Sequence, residues 1–208
     1  MLFRSCQRVH SVDPQPITVE SWADRADPDS QVVGPVVLAV DVPPDRASAS
    51  IAVAGRREDG LAHLEVVRAD PGTGWVVAEV ARLCEAHEVA SMTVAKKPRT
   101  AVVGDSLAIK PLVPEFLEAG LDPVLIGPSD MAAACAGLQD AVNARTMWHL
   151  GQEQVDIGSA VPRDVGESGW AWAKRKSNGD ISPLVAVTVA HWALMRADEY
   201  DPAELGFY

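Results

Sequence analysis

VVLAVDVPPDRASASIAVAG, residues 36–55, is the stretch whose reading decides the fold. Its first seven residues, VVLAVDV, are apolar except for Asp41 and rich in valine, too short for a helix, and stopped by Pro43 and Pro44. Such a run reads as a buried strand, here ending on a single acid, Asp41. ASIAVAGRR (49–57), the turn EDG (58–60) and LAHLEVVRAD (61–70) follow. Three strands joined by short turns predict an antiparallel meander.

Downstream of the meander the period changes. GWVVAEVARLCEAHE (74–88) spaces Val76, Val77, Val80, Leu83 and Cys84 as a helix does, and VASMTVA (89–95) reads as the next strand. A helix is predicted over 106–120, bent by Pro111 and Pro114 and stopped by Gly120. DPVLIG (122–127) reads as a strand, 129–151 as a long helix capped by Ser129, and GWAWAKRK (169–176) as a short ribbon. The last strong element is the apolar helix DISPLVAVTVAHWALMRA (180–197), with Pro183 tolerated in its first turn. A meander followed by alternating helices and strands predicts an α/β fold, a mixed sheet with parallel strands added to the meander and helices on its faces. Residues 1–34 read as a polar lead-in, 35–198 as the ordered domain and 199–208 as an acidic tail.

Composition narrows the function classes. Apolar residues make up 48% of the 208, enough for one sizeable core, and no run approaches the roughly 20 needed to cross a bilayer. No membrane partner is expected. The N-terminus lacks the apolar segment of a secretory signal, and Cys6, Cys84 and Cys135 are too scattered for a disulfide framework or a metal knuckle. Cys84 and Cys135 read as buried thiols, and a reducing cytoplasm is the expected compartment. A formal net charge of −11 argues against a protein that grips nucleic acid through bulk electrostatics. It does not argue against a nuclease, whose site is itself acidic until divalent cations reverse the local sign.

Two acids stand out. Asp41 ends an apolar strand, where a carboxylate is costly unless it meets a cation; turn former and partner of Arg46 are its other readings. Asp180 opens the last helix and reads either as a cap or, with Ser182 available for capping, as a ligand. Hard divalent ions take carboxylate oxygens, and two-metal phosphodiester cleavage needs carboxylates from separate elements.

AVDVPPDRASASIAV and DISPLVAVTVAHWAL, with FLEAGLDPVLIG, DAVNARTMWHLGQ and WAWAKRKSNG between them, resemble the C-terminal half of phage terminase large subunits from about Trp22 to Leu194. The resemblance implies a ribonuclease H-like nuclease fold and an endonuclease that cuts double-stranded DNA during genome packaging. It implies two Mg²⁺ or Mn²⁺ ions held by acids, and a host-cell cytoplasm. Asp41 matches the acid of the family's first strand, and Asp180 the acid at its late helix. Two departures stand out. No GxxxxGK[ST] loop occurs, so a separate packaging ATPase, portal or small terminase subunit is the expected partner. The strand read at 89–95 ends in Ala95 where the family has its middle acid, which implies an impaired site unless Asp105, otherwise a cap for the helix at Ser106, stands in.

Lesser candidates complete the set. Lys174, Arg175 and Lys176 form the densest basic cluster and read either as a guide for a DNA backbone or as solvated surface. Asp45, Asp140 and His149 carry turn, surface and structural readings, and Trp170 and Trp172 share a core-facing side. Alternatives to the nuclease are an inactive DNA-contacting or assembly module of the same fold, a prophage remnant, and an unrelated ribonuclease H-like resolvase.

Overall fold

In the computed structural model, residues 15–94 and 97–198 are described. Ala95, Cys6, the first part of the lead-in and the acidic tail lie outside them. The meander forms as predicted. β1 (Val33–Asp41) pairs antiparallel with β2 (Ser48–Arg56), which pairs antiparallel with β3 (Ala62–Pro71). α2 (Val76–Ala86) returns the chain across the sheet, burying Val76, Val77, Val80 and Leu83.

The next segment departs from the sequence reading. β4 (Ser91–Val94) does not enter the main sheet but pairs with β5 (Lys97–Thr100) in a separate hairpin. The strand beside β1 is β6 (Val102–Asp105), parallel to it, with Leu38, Ala39 and Val40 facing Val102, Val103 and Gly104. A central parallel strand must be apolar on both faces. Val102 and Val103 meet that demand, being almost completely buried, whereas Ser91 is exposed next to buried Met92. Gly104 is required: a Cβ there would lie 2.7 Å from the Val40 carbonyl oxygen and 2.7 Å from Ile109 Cδ1.

The predicted helix over 106–120 breaks where its prolines fall, into α3 (Ser106–Ile109), a 3₁₀ turn at Lys110–Leu112 and α4 (Val113–Glu118). β7 (Val124–Ile126) then adds in parallel outside β6. α5 (Pro128–Ala144) starts one residue before Ser129, and its N-cap is Gly127, whose N–H is accepted by Asp130. It also ends earlier than expected: Arg145 turns left-handed (φ 60°), and the next residues form β8 (Met147–His149), parallel to β3. Met147 is completely buried there, so pairing with the sheet edge wins over helix continuation. The six-stranded order is β7-β6-β1-β2-β3-β8. β9 (Pro162–Asp164) and β10 (Trp170–Trp172) form the expected ribbon, and α6 (Ser182–Asp198) closes the described chain.

Alternation along the strands builds two cores. Val37, Ala39, Ala52, Ala54 and Val103 face α5 and α6; Leu38, Val40, Ile51, Val53 and Val102 face α2, α3 and α4. The many alanines under α6 let a helix of Val and Ala sit close to the sheet. Part of the segment read as a lead-in packs here too. Ile17 is buried, and Trp22 of α1 (Val19–Ala23) stacks on His149 with ring centroids 4.1 Å apart. His149 is structural, its Nε2 bonded to the Trp22 carbonyl at 2.9 Å. Cys135 is buried as expected, while Cys84 is only half-buried.

Candidate active site

Strand register brings the first two acids together. Val40 pairs with Gly104 as the last partners of β1 and β6, so Asp41 and Asp105 are the next residues on two adjacent parallel strands. Asp41 shares its face with Val37 and Ala39, and Asp105 shares the same face with Val103. Both lie at the carboxyl ends of the strands, where open α/β sheets place their ligand crevices.

One cation holds them. Lys174 Nζ lies 2.6 Å from Asp41 Oδ1 and 3.1 Å from Asp105 Oδ2. Asp41 is completely buried, and its Oδ2 has no hydrogen-bond partner among the described residues. Burial pushes its carboxyl up to about 7; Lys174 pulls the other way, while Asp105 and Asp180 add to the rise. Burial would also discharge Lys174, but the two carboxylates outweigh it and keep the ammonium charged. Lys174 is therefore not the surface cation suggested by the run Lys174-Arg175-Lys176; its side chain is 16% exposed, while Arg175 and Lys176 are exposed.

Asp105 has two roles at once. Its Oδ1 accepts the Leu107 N–H at 2.9 Å, capping α3 as the sequence suggested, and its Oδ2 faces Lys174. The acid at the end of the strand beside β1 is thus Asp105, and the expectation that Ala95 takes that place is corrected. An apolar run closing on an acid, VVGD after VVLAVD, was the signal available in the sequence.

Asp180 stands close enough to repel Asp41 but is held by other groups. Its Oδ1 accepts the Ser182 N–H at 2.8 Å, and its Oδ2 accepts the Ser48 hydroxyl at 2.5 Å. Two residues along β2, Ser50 pairs with Asp41 across the strands and its hydroxyl meets that of Ser182 at 2.8 Å. Ser48 and Ser50 thus dock the start of α6 beside the acids. Sequence reasoning passed over both; their spacing of two on the strand facing Asp41 was the only hint. Among the described residues, no three His, Cys, Asp or Glu side chains form a group that could hold a metal ion; Lys174 Nζ is bonded to Asp41, and Asp180 to Ser48 of β2. Of the remaining candidates, Asp45 is exposed and makes a turn to the Ala47 N–H, and Asp140 is exposed on α5.

The fold is that of solved phage large terminase nuclease domains. A crystal structure of the HK97 bacteriophage large terminase matches with a TM-score of 0.67 at 16% identity, over 86% of this chain and 43% of that one. The large terminase nuclease from thermophilic phage G20c matches with a TM-score of 0.53 at 11% identity, over 80% of this chain and 84% of that one. The same nuclease with bound magnesium gives 0.52 at 12% identity, over 80% and 83%. The chain spans less than half the length of the HK97 protein. No family model and no curated protein matches the sequence. No helix among the described residues is long and apolar enough to cross a membrane.

Proposed function

We propose that the chain is a metal-dependent endonuclease domain that cleaves double-stranded phage DNA during genome packaging, working beside a separate ATPase, portal or small terminase subunit in the host cytoplasm. One observation carries the reading: among the described residues, a buried carboxylate with one oxygen left without a hydrogen-bond partner and a second carboxylate on the adjacent strand converge on the Lys174 ammonium. A buried anion with an unused lone pair is costly unless a cation completes it. Oxygen-only donors at a strand-end crevice suit Mg²⁺ or Mn²⁺. Asp41 and Asp105 would hold the ions, with Asp180 joining from the start of α6. When bound, such ions activate water and neutralise the charge developing on a phosphodiester.

The chain's own residues do the rest. Lys174 neutralises Asp41 and Asp105 and keeps them facing one another. Ser48 orients Asp180. Arg175 and Lys176, exposed beside the acids, attract the DNA backbone without reading its sequence. The test is plasmid nicking in Mn²⁺ by the purified chain, with Asp41→Ala and Asp105→Asn as comparisons. Metal-dependent nicking by the parent chain and its loss in both variants is expected; no nicking, or equal nicking by all three, sinks the enzyme.

A second reading has its own support. Lys174 already supplies the positive charge between Asp41 and Asp105, as expected of a non-catalytic module in which a fixed ammonium has replaced the metal. Equal Mn²⁺ affinity of the parent chain and Asp41→Ala would favour it.

A further inference from the structure

Two hollows meet at Lys174 and Arg175, which line both. The one on the Asp180 side, of 610 Å³, is polar where it matters, with Asp45, Ser48 and Asp180 on its walls. The one on the Asp105 side is different. It has a volume of 550 Å³, within the roughly 300–1,000 Å³ of small-ligand sites, and is more enclosed. Pro44, Leu107, Pro111 and Met131 give it apolar walls, while Arg163, Arg175 and Lys176 stand at the same hollow. Leu107 is 84% exposed, a large apolar side chain left in water at the first turn of α3.

We propose that this hollow is a subsite for an unpaired nucleotide of the strand being cut, its base against the apolar walls and its phosphates on the basic residues. The inference rests on the nucleic-acid substrate proposed above. Charge complementarity selects the occupant: in a chain of net charge −11, five basic residues, Arg46, Arg163, Lys174, Arg175 and Lys176, line one hollow with a single acid, Asp105. A phosphate-bearing ligand satisfies the cations, but paired, stacked bases keep their faces from the apolar walls. Only a base released from the stack offers an apolar face together with a phosphate, and contact with that face is sequence-tolerant because every base has one. The site therefore grips one strand at a time, and locally opened DNA is its preferred form.

The test measures binding. A single-stranded DNA decamer carrying one central 2-aminopurine is titrated with the chain in EDTA at low salt, alone and annealed to its complement. Binding of the single strand with a fluorescence change, at least about tenfold tighter than the duplex, is expected from the contribution of base contacts. Leu107→Glu weakens single-strand binding by about tenfold and removes the fluorescence change; Arg163→Glu weakens it through the phosphate. Both side chains are exposed, and circular dichroism checks that the variants fold. Equal affinity for both DNA forms, or single-strand binding indifferent to Leu107→Glu, overturns the subsite. The nicking assay is independent: no nicking with the single-strand preference intact removes the nuclease and keeps the subsite, while nicking without the preference does the reverse.

Discussion

Replacing Lys174 with methionine isolates the charge balance of the site. The variant keeps most of the aliphatic stem and removes the ammonium 2.6 Å from a carboxylate with no solvent exposure. Taking one partner from a buried pair typically costs about 3–5 kcal/mol, because the remaining charge is left uncompensated. Asp41 has an escape: its carboxyl already sits at about 7, and loss of Lys174 pushes it higher, so at pH 8 it takes up a proton. Protonation caps the cost near the lower end, about 3 kcal/mol, or a fall in Tm of about 6–12 °C for a chain of this size. The defect has a pH signature. Below about 5 the carboxyl is protonated in both proteins, and the ion pair contributes little; above 7 the parent deprotonates while the variant retains its proton, so the gap widens with pH. Thermal melts in EDTA at pH 5, 7 and 8.5 read this directly. A second arm adds Mn²⁺, which no longer competes with an ammonium in the variant; at a concentration a hundredfold above its Kd it restores about 2.7 kcal/mol. Melting curves that superimpose in EDTA at pH 8.5, or Mn²⁺ shifts equal in both proteins, would show that Lys174 does not occupy the cation position.

The raised carboxyl of Asp41 makes a further pH prediction: because burial lifts its folded value above the ordinary 3.8 to about 7, the native state holds the extra proton between about 4 and 7, and this group's contribution to stability falls as pH rises through that window. Urea melts of the parent and Asp41→Asn should therefore diverge at the parent's expense from pH 4.5 to 7.5, and parallel curves would contradict it. Ser48→Ala removes the hydroxyl that holds Asp180 and is expected to lower Mn²⁺ affinity by about 10–100-fold, as for outer-shell partners of metal ligands, with the fold intact by circular dichroism. Isothermal titration reads the loss, and unchanged affinity would make Ser48 merely a dock for α6. Gly104→Ala places a methyl 2.7 Å from the Val40 carbonyl oxygen and should destabilise by about 1–3 kcal/mol, with the β6 end and Asp105 displaced. An unchanged urea midpoint would mean that β1 and β6 yield at no cost.

The meander and its acid were legible because strand signals there are local. Alternation, short turns and the stop at Pro43-Pro44 fix β1, β2 and β3 without reference to distant chain, and Asp41 falls at the strand end by counting. The last helix was equally plain, because Leu184, Val185, Val187 and Val189 are apolar nearly all round it. The run from 89 to 105 was not. It holds two short apolar segments, and nothing local says which joins β1; only the demand that a central strand be buried on both faces, and the close approach allowed by Gly104, choose β6. That choice replaces an absent acid at Ala95 with Asp105 beside Asp41.

The helix predicted over 129–151 forms but stops at Ala144 for a related reason: Met147 is buried in the strand that pairs with the edge of β3, a choice invisible in a window of sequence. Lys174 shows the same division in the site. By sequence it is one of three consecutive cations on a polar loop, and such runs are normally solvated. The sequence by itself placed Asp41 at the end of a strand too apolar to lie at the surface, and left its role there open. Only the tertiary structure decided what answers it. The loop after β10 closes over the ends of β1 and β6, and in the low dielectric beneath it a buried anion draws in the cation within reach.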